Sequence, residues 1–159
     1  MPLSTKVDIL AGGLVPLFDP RQIPPVEASD PIVKALSNTA EVWASAIERW
    51  MVAGGIPAVS AKKAALKAAL IVAFNPFGGG AAPALIGQAF SVFWIGTSVP
   101  AQSGVVAIFL PTPFIPLLPP LPLGATPQQQ AQLLAQTIYL YTVANASVQP
   151  PPPPGTPLL

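Results

Sequence analysis

Residues 30–57 read DPIVKALSNTAEVWASAIERWMVAGGIP, and this stretch decides the class of the fold. Asp30-Pro31 offers an N-cap followed by proline at the first helical position, and Gly54-Gly55 with Pro57 supplies the stop. Between them Leu36, Ala40, Trp43, Ile47 and Trp50 recur at steps of four and three, the apolar stripe of an amphipathic helix. Lys34, Glu41 and Glu48 take the opposite, wet face. Large aromatics at helical spacing bury area, so Trp43 and Trp50 read as core and not as a ligand platform.

Further helices are predicted on either side of the Gly78-Gly79-Gly80 joint. One runs from a Ser60 cap through Phe74, is ended by Asn75-Pro76, and carries Lys62, Lys63 and Lys67 in its first two turns, where the helix dipole disfavours cations. These lysines read either as a solvated face or as a contact for phosphate or a partner's carboxylates; without interleaved aromatics they do not mark a nucleic-acid surface. The triple glycine lacks the Gly-Lys-Ser/Thr of a phosphate loop. Pro83 opens a helix in which Ile86, Ala89, Phe90, Phe93 and Trp94 are apolar around much of the circumference, which predicts the centre of the core, packed on Trp43 and Trp50. Thr126-Pro127-Gln128-Gln129 is a capping box for a last helix to about Ala146. Leu134, Ile138 and Tyr141 share one face of it. Gln128, Gln132 and Gln136 share another, and neutral amides there suit an interface as well as a solvent face, because they donate and accept without the desolvation penalty of a charge.

Between and beyond the helices, 23 prolines and 12 glycines in 159 residues impose extended, irregular or polyproline geometry. Residues 1–29 are expected to form an extended N-terminal arm, punctuated by Gly12-Gly13, Asp19-Pro20 and Pro24-Pro25, that docks through Leu14, Leu17 and Phe18. Val105 to Leu110 reads as a short buried strand or extended segment, with Phe109 on it expected at an interface. It leads into a Pro-rich ribbon, 111–123, whose Phe114, Ile115, Leu117, Leu118 and Leu121 should lie against another chain or along this chain's own helices. Residues 147–159 form a polyproline tail that resembles an SH3 ligand in composition only, since it lacks a basic flank. The expected fold is mainly α: a small core of about four helices within 30–146, with Leu36, Trp43, Ile47, Trp50, Phe90, Phe93 and Trp94 inside it, long Pro-rich extended arms and little β.

Composition excludes most chemistry. All seven Lys and Arg and all six Asp and Glu lie at or before Lys67; from Ala68 to Leu159 there is no ionisable side chain except tyrosine. With no His and no Cys, there is no imidazole base, thiol nucleophile or thiolate zinc site, and redox compartment cannot be read. Asp30 is used as a cap, Glu41 and Glu48 face outward, and the spacing of Asp19 and Glu27 requires no carboxylate pair. No calcium loop fits between Asp19 and Asp30, which three prolines interrupt. No cofactor, metal or small-molecule substrate is expected, and the chain reads as a non-enzyme. Two candidate membrane spans fail on composition: Ala81 to Val99 carries Pro83, Gly87, Gln88, Ser91 and Gly96 without positive flanks, and Gly104 to Leu123 contains six prolines.

A soluble monomer ordinarily covers itself with roughly a quarter charged residues, against 8% here. A surface so poor in charge is expected to be covered by neighbours. The order of a helix carrying Ala40-Glu41-Val42-Trp43-Ala44, a Ser60-capped Ala-rich helix, Ala89-Phe90-Ser91-Val92-Phe93-Trp94, a Pro-rich stretch and a short Thr/Gln helix resembles small virion structural proteins of tailed phages. That resemblance implies a capsid, neck, tail or baseplate accessory, assembled in the host cytoplasm, with other structural subunits or copies of itself as partners. The alternative is a membrane-associated or secreted protein with 68–123 at a lipid surface and Lys62, Lys63 and Lys67 beside anionic head groups.

Overall fold

The computed structural model describes residues 3–19, 21, 31–75, 80–100, 103–115, 118 and 120–149. The chain is mainly α: α1 (Val7–Leu14), α2 (Pro31–Ala53), α3 (Ser60–Ala73), α4 (Ala82–Trp94) and α5 (Pro127–Asn145), with strands β1 (Ser98–Val99), β2 (Gly104–Phe109) and β3 (Ala146–Gln149). The stripe read in 30–57 is the organising helix. Ala40, Trp43, Ile47 and Trp50 are buried, and Gly55, at φ +86°, turns the chain out of α2 at the expected stop. Leu36 departs from expectation: it is half-buried, because the core against α2 begins at Ala40 and the first turns of the helix, with exposed Ile32, reach beyond it.

Helix α4 packs on Trp43 and Trp50 as expected, but it is not covered all round: Ile86, Ala89, Phe90, Phe93 and Trp94 are buried, while Ala84, Gln88 and Val92 form an exposed stripe. Phe90 packs 6.5 Å from Trp43 between ring centroids, and Trp94 meets Trp50 edge-on at 6.1 Å. Phe90 is also stacked on Phe109 and Phe114 and edge-on to Tyr141, so one aromatic cluster joins α2, α4, β2, the ribbon and α5. Edge-to-face and offset arrangements of this kind stabilise by about 1 kcal/mol per pair beyond their buried area.

The N-terminal arm is not extended over the described residues. Leu3–Lys6 and Val15–Leu17 are 3-10 turns on either side of α1, and α1 packs on α2 and α5. Val7, Leu10, Ala11 and Leu14 form an i, i+3, i+4, i+7 stripe that is buried in this chain's own core. Gly12-Gly13 resembles a break in sequence, yet Gly13 is where the helix touches α2: an added Cβ would sit 2.7 Å from the Ala46 Cβ. The glycine lowers helix propensity, and the close packing it permits outweighs that loss. The Trp50 Nε1–H donates to Leu3 O at 3.0 Å and ties the start of the arm to the core. Residues 20 and 22–30, the rest of the expected arm, lie outside the described residues, and so does Asp30.

The small sheet has the order β1-β2-β3, antiparallel throughout. Strand β2 was expected; β3 was not, since 147–149 read as the start of the tail. Val105 pairs with Gln149 and Phe109 with Ala146, with an irregularity between Val106 and Ile108. The chain therefore reverses directly at the end of α5, where the Leu110 N–H donates to Asn145 O at 3.1 Å. Residues 150–159 of the tail lie outside the described residues.

The first part of the ribbon lies along this chain's own helices. Phe114 N–H donates to Pro83 O at 2.9 Å, the Tyr141 hydroxyl donates to Thr112 O at 2.6 Å, and the Thr112 hydroxyl donates to Asn145 Oδ1 at 2.9 Å. The crossing works because residue 87 is glycine. A Cβ there would collide with Thr112 O and stand 2.8 Å from the Tyr141 hydroxyl. Gly87→Ala is thus expected to destabilise by about 1–3 kcal/mol through overpacking, read as a lowered urea midpoint. An unchanged midpoint would mean that 111–115 does not pack here.

Candidate interaction surface

Glu41 and the three lysines of α3 are engaged within the molecule. Lys63 and Lys67 each stand 3.2 Å from a Glu41 oxygen, Oε1 and Oε2 respectively, and bridge α3 to α2. Lys62 Nζ donates to Phe93 O at 3.1 Å and to Ile95 O at 2.6 Å, a cation at the negative C-terminal end of α4. The three lysines that sit badly for their own helix are held by neighbouring helices. They are neither a purely solvated face nor a ready phosphate site. Ser60 does not cap α3; Val59 occupies the cap position and makes no side-chain cap bond.

Donation from the Ser45 hydroxyl, then hydrogen bonds from Lys67 and Lys63, hold the Glu41 carboxyl down at about 2 from its ordinary 4.5, against the opposing effect of burial. Because the folded value is depressed, the stabilisation is complete above pH 4.5 and lost as pH falls towards 2. With the Glu41 side chain 45% exposed, solvent screening holds the effect to about 1 kcal/mol or less. Glu41→Gln should accordingly lower Tm slightly at neutral pH and flatten its fall between pH 4.5 and 2. Equal acid sensitivity in the variant and the parent would contradict the bridge.

Asp19 is buried, and its carboxylate accepts from the Arg21 backbone N–H at 3.0 Å and from Arg21 Nε–H at 3.1 Å. Glu27 lies outside the described residues. Among the described residues, no group of three His, Cys, Asp or Glu side chains comes together.

The expected interface residues divide into three sets. Leu14 and Phe109 are core, at 0% and 2% exposure, and Phe114 is largely enclosed by Trp43, Phe90 and Tyr141. These three were assigned to an interface because the segments around them read as extended; each segment folds back onto the helices instead. Ile115 is exposed, Leu17, Gln132 and Gln136 are half-buried, and Leu117 lies outside the described residues. The third set converges: Phe18, Leu118 and Leu121, with one side of Phe114, line an open groove of about 640 Å³.

The opposite wall of that groove is α5, started by the predicted capping box. Gln129 N–H donates to the Thr126 hydroxyl at 3.2 Å, and Thr126 N–H to Gln129 Oε1 at 2.9 Å. Fixing the helix start presents Gln130, Leu133, Leu134 and Thr137 to the groove, and Pro120 completes it. The Thr137 hydroxyl already donates to Leu133 O at 2.9 Å. The amide of Gln130 is thus the side chain placed to recognise a polar group there, and among the described residues none that lines the groove is charged. Sequence reasoning picked 128, 132 and 136 on this helix; the signal for the groove was the neighbouring stripe 130, 133, 134, 137, at i, i+3, i+4 and i+7.

A second apolar surface is the outer face of the sheet. Val105 and Ile108 on β2 are exposed, as are Leu110 and, near the end of α5, Val143. Their cross-strand neighbours Ser98, Ser147 and Gln149 are uncharged, so these described neighbours set no charge against a face contact. Among the described residues, no helix is long and apolar enough to cross a membrane. Comparison with protein-family models, with curated proteins and with solved structures found no match to this chain.

Proposed function

We propose that this chain is a non-enzymatic structural subunit of a large macromolecular assembly, a virion component of the capsid, neck, tail or baseplate, held by apolar surfaces and Pro-rich segments. The observation that carries this reading is the character of the folded surface. After the core has taken the aromatic residues, Val92, Ile95, Val105, Ile108, Leu110, Ile115, Leu123 and Val143 remain exposed in a region without a single formal charge. A protein that works alone in water keeps such surface small and rings it with charge. Subunits whose neighbours cover them have no such requirement.

Ile108→Lys tests this reading without disturbing the core, because Ile108 is 55% exposed and its partner across the sheet is Ser147. The substitution is expected to leave helicity and Tm unchanged and to reduce incorporation into particles at least tenfold, scored by the ratio of particle-bound to free subunit. Normal incorporation would remove this face from any interface. The lipid-surface alternative is less favoured, because Lys63 and Lys67 are paired with Glu41 and Lys62 donates to carbonyls at the end of α4.

A further inference from the structure

We infer that the groove between the ribbon and α5 receives the Pro-rich segment 150–158 of a second copy of this chain, so that copies associate head to tail. The inference rests on the structural-subunit reading and names the contact.

The chemistry of groove and segment agree. Phe18, Phe114, Pro120 and Leu121 give a neutral apolar bed, and the segment, PPPPPGTPL, has no charge to desolvate. A polyproline strand forms no hydrogen bonds within itself and leaves its carbonyls seeking donors. Gln130 offers an amide N–H beside the apolar bed. Aromatic-lined grooves recognise polyproline in this way, and the low entropy of a proline run reduces the cost of ordering it.

Topology selects the second copy over the same one. The Phe114 side of the groove lies at the start of α4, through the Phe114 N–H bond to Pro83 O. Gln149 is paired with Val105 near the other end of α4, where Gly96 N–H donates to Val106 O. A helix of 13 residues separates them, about 20 Å. Strand β3 also runs away from Phe109, and hence away from the groove, as it approaches residue 150. In polyproline geometry nine residues would span about 28 Å, so a return of about 20 Å would leave only two or three of them to occupy the groove. Directed outward, the same length reaches a neighbour. A one-way contact of segment to groove is heterologous and propagates into a ring or filament, whereas reciprocal exchange between two copies would stop at a dimer.

The test is sedimentation velocity on three full-length chains. The unaltered chain should form oligomers larger than a dimer. Replacing Pro150→Ser through Pro154→Ser together, or Leu121→Lys with Gln130→Lys, should weaken self-association more than tenfold with far-UV helicity unchanged. Mixed one to one, the two variants should pair, since one keeps the groove and the other the segment, and the pairs should stop at dimers. A synthetic peptide of residues 149–159 in excess should shorten the oligomers of the unaltered chain, a readout that needs no variant to fold. The inference is overturned if the unaltered chain stays monomeric, if either variant assembles like it, if the mixture fails to pair or if the peptide has no effect. Oligomers indifferent to the serine replacement would leave the assembly reading standing without this contact.

Discussion

Phe114→Asp is expected to unfold the subunit, lowering stability by at least about 3 kcal/mol, and so to abolish assembly indirectly. The ring sits 5.1 Å from Tyr141, 5.9 Å from Trp43 and 5.9 Å from Phe90, and its backbone N–H is fixed to Pro83. Removing it opens the aromatic cluster, and the new carboxylate would face the rings while residues 68–159 supply no cation to pair with it. From sequence alone the same substitution would be expected to break an interface and spare the helices. The structure reverses that expectation, because the first part of the ribbon is an intramolecular strap. Urea denaturation followed by tryptophan fluorescence decides between them: a midpoint equal to that of the parent would return Phe114 to the surface.

Trp50→Ala should cost about 3–5 kcal/mol, enough to remove most of a small domain's stability. Trp50 is fully buried, meets Trp94 at 6.1 Å and Tyr139 at 6.3 Å, and holds the first turn of the chain through Leu3 O. Trp50→Phe separates the two contributions. It keeps most of the buried area and loses the hydrogen bond, so it should cost less than the alanine variant and should preferentially raise hydrogen exchange in 3–14. If exchange there is unchanged in Trp50→Phe, the bond does not tether the N-terminal helix.

What could be read from sequence divides along a physical line. Helices with complete local signals were legible. Residues 30–57 carried cap, period and stop; Thr126 to Gln129 carried a capping box whose two hydrogen bonds both form; and the aromatic residues of 86–94 placed α4 against Trp43 and Trp50. Elements specified by tertiary contact were not. Helix α1 contains a double glycine that looks like a break, and only the approach of Ala46 explains Gly13. Strand β3 consists of Ala146 to Gln149, with no strand signal beyond Val148, and exists because β2 offers it a partner. The lysines of α3 carried half a signal. Their poor fit to their own dipole implied an external partner, but not that the partner would be Glu41 and the end of α4.

The same division holds for the interaction surface. Phe18, Leu118 and Leu121 were legible as sticky residues in segments without regular structure. Gln130, Leu133, Leu134 and Thr137 were obscured by the regular glutamine spacing one step along the helix. Exposure of Val105 and Ile108 could not be anticipated, because a continuous apolar run does not state which of its faces is covered.

The central claim, that this chain works as a covered subunit, is tested most directly by sedimenting the native protein from its source, first without detergent and then with it. The account predicts recovery in a megadalton particle that survives mild detergent and does not float with lipid. Recovery as a free 16.3 kDa chain, or release by detergent after flotation with lipid, would contradict it.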